Sequence, residues 1–355
     1  SNDEKIIKMI AHNASYDFRT GLFKYLSNVE TIEKGSSLMS AKCKFYNYSS
    51  TPLIIKITDS YCIIPEPLRK FGKMFKLKTE KEIMPYPLYT TKNIKKKFID
   101  INECLAHIDN QDIEKYIVNC RKWGCFLRNE KYVDIIKYSS HYCKIDCKVL
   151  KDGYLEFKRM IEIVTKLDID DYISLASIAD EYLKVSGCFD GCFELSGVCR
   201  SFIQECLVGG RTMLNNNKKL KRKGKIADYD AVSLYPSAMN RLNGFLVGIP
   251  IVLRKNMKTK EFLNNVDGYY IKIKIKSVGI KRDFPLLSFI NEKGIRIFSN
   301  DIIDKEIYID NISLEDAVKY QDIEYDILQG YFFCEGFNPK IQETISYLFN
   351  QRLKA

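Results

Sequence analysis

The sequence predicts an α/β region followed by an α+β region, and three patterns lead to this fold class. Short apolar runs at Lys5–Ala11 and Leu53–Thr58 are typical of strands, whereas Ser15–Leu26 and Tyr132–Tyr154 have helical periodicity. Isoleucine alternates with lysine within Tyr270–Val278, which predicts a strand with one buried face and one basic, solvated face. A mixture of strands and helices therefore comes first, and a section richer in strands follows from residue 228 onward.

Two further helices are predicted between and after these elements. The first presents one apolar side, formed by Ile173, Leu175, Ile178, Ala179 and Leu183. The last starts at Asn338-Pro339, because asparagine is a favourable N-cap and proline suits a first turn. We expect Asp168-Ile169-Asp170 to cap the helix that begins near Tyr172.

Composition narrows the function classes. The 355 residues carry a net charge of +11, which favours an anionic partner, with nucleic acid ahead of an acidic membrane, unless the excess reflects a lysine-rich proteome. Twelve cysteines accompany three histidines, and their closest spacing is CxxxC, at 143/147 and 188/192. Zinc sites usually show tighter, repeated spacing, so we expect free, mostly buried thiols in a reducing compartment. No apolar run is long enough for a membrane span and no signal peptide is seen, so an intracellular protein is expected.

The stretch DYDAVSLYPSAM, residues 228–239, carries the most specific pattern. Strand propensity over Lys225–Asp230 places the Asp230 carboxylate at a strand end, where it can hold a divalent metal at the rim of a sheet. A two-metal phosphoryl-transfer site needs such a ligand. Asp228, two residues earlier, is a weaker second candidate. A lone aspartate in this position usually lies on the surface before a turn, so the longer context matters.

Asp230-Ala231-Val232-Ser233-Leu234-Tyr235-Pro236 resembles motif A of the family B DNA polymerases. The resemblance implies that Asp230 binds Mg²⁺ or Mn²⁺, two ions per active site, with the Ala231 carbonyl as a further ligand. It implies that the nucleotide site includes Ala231, Ser233, Leu234 and Tyr235. The Tyr235 ring would then stack under the sugar and exclude a 2′-hydroxyl.

Two earlier motifs resemble those of the proofreading exonuclease in this family. His12-Asn13-Ala14-Ser15-Tyr16-Asp17 is similar to its N-x-x-x-D motif, and Tyr142–Asp146 is similar to its Y-x-x-x-D motif. Residues four apart share one face of a helix, so Tyr142 and Asp146 should project together. The resemblance implies metal binding by Asp17 and Asp146, with Tyr142 orienting the attacking water.

Further matches assign DNA contacts and a catalytic lysine. Ser60-Tyr61-Cys62-Ile63-Ile64 resembles the family's single-strand-binding motif, although tyrosine replaces its usual leucine. Lys81-Glu82-Ile83-Met84 resembles the motif whose lysine assists the exonuclease, where a cation would stabilise developing charge. The implied contacts to the unpaired primer end are His12, Asn13, Tyr16, Ser60 and Tyr61.

Another group of matches points to the protein-primed branch of the family. Leu207–Arg211 resembles a Y-x-G-G motif, with leucine in place of tyrosine, and implies that Gly209, Gly210 and Arg211 bind DNA. Seven basic residues and no acidic ones lie in 211–227, so this run either tracks the DNA backbone or is a solvated loop. About a hundred residues separate motif A from the last helix. They resemble the insertion called terminal protein region 1, at about 242–335, and its closing part is similar to Glu306–Gln329.

The resemblance implies a ribonuclease-H-like α/β exonuclease domain, truncated, followed by part of an α+β polymerase palm. Its boundaries are 1–160 for the exonuclease without its first motif, 161–227 for connecting helices and the linker, 228–336 for the palm, and 337–355 for the start of a fingers helix. The first exonuclease motif (D-x-E), the fingers lysine and the second palm carboxylate pair (D-T-D) are not found within the chain.

The implied function is protein-primed synthesis of DNA on a DNA template, with 3′-5′ proofreading, for a linear viral, plasmid or mobile-element genome. The implied partners are primer-template DNA, a single-stranded primer end, dNTPs and a terminal protein, and a monomer is expected. We expect residues 1–355 alone neither to polymerise nor to proofread. Two alternatives stay open: a remnant or split module that binds DNA or the priming protein, and a stand-alone ribonuclease-H-like nuclease, which leaves DYDAVSLYPSAM without a role.

Overall fold

The computed structural model describes residues 6–46, 53–214, 219 and 221–354, and these divide into two compact units, Ser1–Tyr182 and Leu183–Ala355. The strands are β1 Ile6–Ala11, β2 Ser27–Lys34, β3 Ser37–Phe45, β4 Leu53–Asp59, β5 Phe98–Asp100, β6 Phe126–Leu127, β7 Tyr132–Asp134, β8 Phe245–Leu246, β9 Ile251–Val252, β10 Gly268–Val278, β11 Ser288–Ile290, β12 Arg296–Phe298, β13 Glu306–Asp310, β14 Ile323–Phe333 and β15 Phe337–Asn338. The helices are α1 Ser15–Asp17, α2 Phe71–Met74, α3 Thr91–Lys96, α4 Ile101–Leu105, α5 Ile113–Lys122, α6 Ile135–Thr165, α7 Leu175–Val185, α8 Gly197–Cys206, α9 Leu234–Met239, α10 Lys260–Leu263, α11 Asn311–Gln321 and α12 Lys340–Lys354.

A four-stranded sheet in the order β1-β4-β3-β2 forms the base of the first unit. Strands β1 and β4 run parallel, from Ile6 opposite Ile54 to Ala11 opposite Asp59, so the polypeptide leaves both strands at the same sheet edge. The two strands predicted here are confirmed, although Lys5 lies outside the described residues. The predicted helix over Ser15–Leu26 is instead one α turn followed by a π turn, Phe18–Leu22, and a 3₁₀ turn, Phe23–Tyr25.

The long helix α6 crosses the core of the first unit. It begins three residues later than predicted, because Tyr132–Asp134 pairs as a strand with β5, and it continues to Thr165. Asp134 caps it by accepting a hydrogen bond from the backbone nitrogen of Lys137 at 2.9 Å. The predicted cap at 168–170 is wrong in its target: Asp168 caps the 3₁₀ turn Ile169–Asp171, and the next helix begins only at Leu175.

The second unit is built on a sheet in the order β13-β10-β14-β9. The predicted strand is confirmed as β10. Its side chains Ile271, Ile273 and Ile275 are completely buried on one face of the sheet. The lysines on the other face of β10 are not free cations, because each forms an ion pair with a carboxylate on a neighbouring segment. These ion pairs are Lys272–Glu306 at 2.6 Å, Lys274–Asp304 at 3.1 Å and Lys276–Asp326 at 2.6 Å.

The predicted strand over Lys225–Asp230 is absent. A strand requires a hydrogen-bonded neighbour, and no described segment pairs with these residues. The segment is open to solvent, as the exposed fractions of 82% for Ile226 and 90% for Tyr229 show. The expected alignment of Asp228 with Asp230 on one strand face therefore has no basis.

Two smaller predictions are confirmed in part. The last helix, α12, begins at Lys340, directly after the predicted Asn338-Pro339 pair, and Asn338 at the end of β15 accepts a hydrogen bond from the backbone nitrogen of Lys340 at 3.0 Å. All twelve cysteines are free, as predicted, but only half of them are buried rather than most: Cys43, Cys104, Cys120, Cys125, Cys188 and Cys206. Within the described ranges, no helix is both long enough and apolar enough to cross a membrane.

Candidate functional site

Lys81, Tyr142 and Asp146 come together in the first unit. The Nζ atom of Lys81 lies 2.8 Å from Oδ2 of Asp146 and 5.4 Å from the centre of the Tyr142 ring. Because one lysine contacts both side chains, the prediction that Tyr142 and Asp146 share one helix face is confirmed. The Tyr142 hydroxyl lies 2.7 Å from that of Tyr86, which sequence reasoning missed because Tyr86 belongs to no motif.

The two oxygens of the Asp146 carboxylate differ in their hydrogen bonding. Oδ2 accepts from Lys81, whereas Oδ1 is buried without a hydrogen-bond partner among the described residues. An unpaired buried oxygen is costly unless something else binds it. A divalent cation fits this position, since hard cations take carboxylate oxygens.

The hydroxyl of Tyr142 is held in its protonated form. Burial raises the pKa of Tyr142 above its ordinary value, and both the hydrogen bond to Tyr86 and the negative charge of Asp146 add to the shift. A protonated phenol beside a carboxylate can donate a hydrogen bond and orient water.

Asp17 is exposed at the end of α1 and belongs to the same neighbourhood. Burial raises the pKa of the Cys143 thiol, and the charges of Asp146, Cys147 and Asp17 raise it further, so Asp17 and Asp146 both act on one position of α6. The described residues nevertheless contain no group of three His, Cys, Asp or Glu side chains placed to hold a metal ion. Metal binding by Asp17 and Asp146 therefore stays a prediction.

The loop after β1 is fixed by an aspartate that the sequence motifs did not include. Asp59 Oδ1 accepts from the backbone nitrogens of Asn13 at 2.8 Å and Tyr61 at 2.9 Å, and Oδ2 accepts from that of Ala14 at 3.0 Å. Asn13 is in the left-handed region, at φ 62°, and precedes α1, so Asn13 and Asp17, although four residues apart, do not lie on one helix. The sequence did contain one signal for Asp59: an acidic residue at the end of an apolar strand, directly before Ser60.

Two predicted DNA contacts are engaged within the protein. Ser60 is completely buried, with its hydroxyl 2.8 Å from the carbonyl oxygen of Ala11 and 3.0 Å from Nδ1 of His12, so its side chain is not available to DNA. The Nε2 atom of His12 donates to the carbonyl of Glu66 at 2.9 Å. Burial lowers the pKa of His12, although the Glu66 hydrogen bond opposes the shift. The side chains of Ser60 and His12 therefore hold together the loops that follow β1 and β4.

Tyr16 and Tyr61 remain accessible. Their exposed fractions are 73% and 42%, and the Tyr61 ring meets His12 edge to face with centroids 5.3 Å apart. Both rings can receive an unpaired base by stacking. Their assignment to DNA binding stays a prediction.

The motif A segment in the second unit is open to solvent. Asp230 and Ala231 lie in exposed, irregular backbone, and Ser233 precedes α9 with φ 52°. Tyr235 and Leu234, in the first turn of α9, have exposed fractions of 71% and 59%. Since the described part of the chain contains no group of three His, Cys, Asp or Glu side chains placed to hold a metal ion, these residues alone do not fit a two-metal centre.

The glycine motif lies beside Tyr235. A Cβ atom placed on Gly210 would lie 3.8 Å from the Tyr235 hydroxyl, and one on Gly209 would meet nothing within 4 Å. Arg211 is turned away from the motif: its Nη1 donates to the carbonyl of Pro285 at 2.7 Å, and the guanidinium lies 5.8 Å from the Phe298 ring centre. In the predicted basic run, residue 218 lies outside the described residues.

Comparison with protein families decides what these segments belong to. The family model described as "DNA polymerase type B, organellar and viral" matches residues 2–351. The chain belongs to this family. The resemblance first drawn from motif A is therefore confirmed at the level of the type B polymerases.

The curated relatives of this chain extend well beyond the matched part. A DNA polymerase from Kluyveromyces lactis is 23% identical over 245 residues, which are 66% of this chain and 24% of that protein. A probable DNA polymerase from Neurospora intermedia is 22% identical over 371 aligned positions, covering 97% of this chain and 36% of the relative. The chain thus spans about a quarter to a third of the curated relatives it matches.

Solved polymerase structures share the fold. Phi29 DNA polymerase complexed with primer-template DNA and incoming nucleotide substrates superimposes with a TM-score of 0.61 at 16% identity, over 97% of this chain and 58% of that one. The same polymerase complexed with single-stranded DNA gives a TM-score of 0.52 at 17% identity, over 97% and 57%. At these identities the likeness shows a polymerase fold with exonuclease and palm regions.

Proposed function

We propose that this chain is part of a DNA-directed DNA polymerase with 3′-5′ proofreading, primed by a protein and serving a linear viral, plasmid or mobile-element genome. The observation that carries the proposal is the family match over residues 2–351, which includes both the nuclease motifs and motif A in one chain. A stand-alone nuclease accounts for only the first of these two regions.

In the nuclease site, this chain supplies charge and orientation. Lys81 lies against Asp146 Oδ2 and leaves Oδ1 free, so the carboxylate keeps one oxygen for a cation while its position is fixed. Tyr142, kept protonated, can orient the attacking water, and Asp17 adds a second carboxylate. Magnesium or manganese ions, two per active site, supply Lewis-acid activation and stabilise the oxygen of the leaving strand when bound.

In the palm site, Asp230 and the Ala231 carbonyl are the proposed ligands from this chain. Ser233 and Leu234 place the backbone against the incoming dNTP, and the exposed Tyr235 ring lies under its sugar. A ring in that place leaves no room for a 2′-hydroxyl, so selection of deoxyribose is steric. Gly209 and Gly210 would admit a DNA phosphate close to their backbone.

Protein priming rests on the resemblance of residues 242–335 to terminal protein region 1. The sheet formed by β10, β13 and β14 gives this region a rigid core, and Arg211 attaches the glycine motif to it through Pro285. The proposed partners are a terminal protein, primer-template DNA, a single-stranded primer end and dNTPs, with the polymerase acting as a monomer.

The proposal is tested with the protein as its gene encodes it. Purified protein should extend a DNA primer with dNTPs and degrade a single-stranded 3′ end, both only when Mg²⁺ or Mn²⁺ is added. It should also attach a first nucleotide to a protein rather than require a nucleic-acid primer at its genome end. Metal-independent binding of DNA without either reaction would replace the proposal with a DNA-binding module.

A further inference from the structure

The Asp59 carboxylate is unusual because it is buried and forms no ion pair within the described part of the chain. Its exposed fraction is 4%, and no lysine or arginine of the described residues forms an ion pair with it. Three backbone N–H groups satisfy it instead, from Asn13, Ala14 and Tyr61. Burying a charge is costly, and hydrogen bonds from three backbone donors offset that cost only while the two loops keep this arrangement.

Both loops held by Asp59 carry exposed residues that are predicted to contact DNA. Asn13 and Ala14 follow β1, whereas Tyr61 follows β4, and the parallel pairing of β1 with β4 brings the two loops to one sheet edge. Asn13 pays a conformational cost in the left-handed region at φ 62°, which its hydrogen bond to Asp59 helps to offset. Tyr61 presents an exposed ring supported by His12.

We infer that Asp59 is a positioning residue of the nuclease site, holding Asn13 and Tyr61 in the arrangement that receives an unpaired nucleic-acid 3′ end. The substrate class follows from the groups presented. An amide side chain can hydrogen-bond a base or sugar, and an exposed aromatic ring stacks on an unpaired base whatever its identity. Asp59 acts through these two residues and does not itself touch the strand, since its own oxygens are occupied.

The inference rests on the proposed nuclease function and predicts a graded series. Asp59→Asn keeps one acceptor oxygen but sets an NH₂ group against the N–H of Ala14, whereas Asp59→Ala removes all three hydrogen bonds. Asp100→Asn is the matched control, because Asp100 Oδ1 also accepts a backbone hydrogen bond, from Asn102 at 2.9 Å, at the start of α4. Hydrolysis of a labelled single-stranded oligonucleotide by the encoded protein gives kcat and KM for each variant.

We expect Asp59→Asn to raise KM roughly tenfold, as for the loss of about one stacked base, with kcat changed less than about threefold. Asp59→Ala should raise KM further and Asp100→Asn should match the wild type. Equal KM values for wild type and Asp59→Asn, or a loss confined to kcat, would overturn the inference. If the Asp59 variants do not fold, Tyr61→Ala and Asn13→Ala must raise KM, and unchanged values there overturn it equally.

A binding measurement distinguishes failure of the proposed nuclease function from failure of the positioning role of Asp59. Fluorescence anisotropy with the same labelled oligonucleotide, in EDTA, reports strand capture without hydrolysis. If the wild type binds but does not hydrolyse, the nuclease proposal fails, and weaker binding by Asp59→Asn still supports positioning. If Asp59→Asn binds the strand as tightly as the wild type, the positioning role is rejected whatever the activity.

Discussion

Lys81 and Asp146, separated by 65 residues in the sequence, form an ion pair with 2.8 Å between Nζ and Oδ2. The side chains are only 25% and 20% exposed, so the interaction is shielded from bulk water. The other oxygen of Asp146 is buried and has no hydrogen-bond partner among the described residues. The lysine thus fixes the orientation of the carboxylate while leaving one oxygen for a cation.

Lys81→Met should lower the rate of 3′-end hydrolysis roughly 10- to 100-fold, because it removes a charge-assisted hydrogen bond and a cation near the scissile phosphate. Primer extension should be unchanged. Both rates are measured on the encoded protein with defined oligonucleotides. Lys115→Met is the control, since Lys115 pairs with Glu82 at 3.2 Å in the same unit. Equal losses for both variants would refute a specific role for Lys81.

Tyr235→Val should relax the selection of deoxyribose. Removing the ring opens space for a 2′-hydroxyl, so the preference for dNTPs over rNTPs should fall roughly 10- to 100-fold. Single-nucleotide incorporation kinetics with both substrates measures this ratio. Tyr229→Val, which removes another exposed tyrosine six residues earlier, should leave it unchanged. An unaltered ratio in Tyr235→Val would remove the sugar-gating role.

His12 should make the first unit less stable in acid. Burial lowers its folded pKa below the ordinary 6.5, so the unfolded chain binds a proton more readily. The contribution of neutral His12 is therefore complete above pH 6.5 and is lost as pH falls through the folded pKa. Chemical unfolding across this range should show a shallower pH dependence for His12→Gln than for wild type. His107→Gln removes an exposed histidine as the control, and identical slopes for wild type and His12→Gln would contradict the account.

Gly153→Ala should lower the free energy of unfolding by about 1–3 kcal/mol, because overpacking outweighs the gain in helix propensity of about 1 kcal/mol. A Cβ atom on Gly153 would lie 2.4 Å from Cδ2 of Phe71, whose side chain is completely buried. Gly21→Ala is matched to it, since a Cβ there meets nothing within 4 Å. Denaturant unfolding followed by circular dichroism compares the two, and equal stability would show that Phe71 can move.

The sequence predicted those elements whose pattern is local. Alternating isoleucine and lysine defined β10, an asparagine-proline pair marked the start of α12, and spacing by four placed Tyr142 beside Asp146. Each depends on residues close together in the chain, so periodicity and capping suffice.

What depended on distant pairing was not predictable. Tyr132–Asp134 became a strand because Phe98–Asp100 lies beside it, and Lys225–Asp230 did not become one because it has no neighbour among the described residues. Likewise, Ser60 and His12 are polar residues in motifs, and only the fold shows that they bond to each other. The role of Asp59 was not predicted, because its partners are backbone nitrogens and a side-chain motif does not reveal these.

The central claim is that one chain contributes to two separate metal-dependent sites, and paired substitutions in the encoded protein test it most directly. Asp230→Asn and Asp146→Asn are assayed side by side for primer extension and for degradation of a single-stranded 3′ end, with Mg²⁺ and then Mn²⁺. The account predicts that Asp230→Asn abolishes extension and spares degradation, while Asp146→Asn does the reverse. If both variants keep both activities, these carboxylates bind no catalytic metal and the account is wrong.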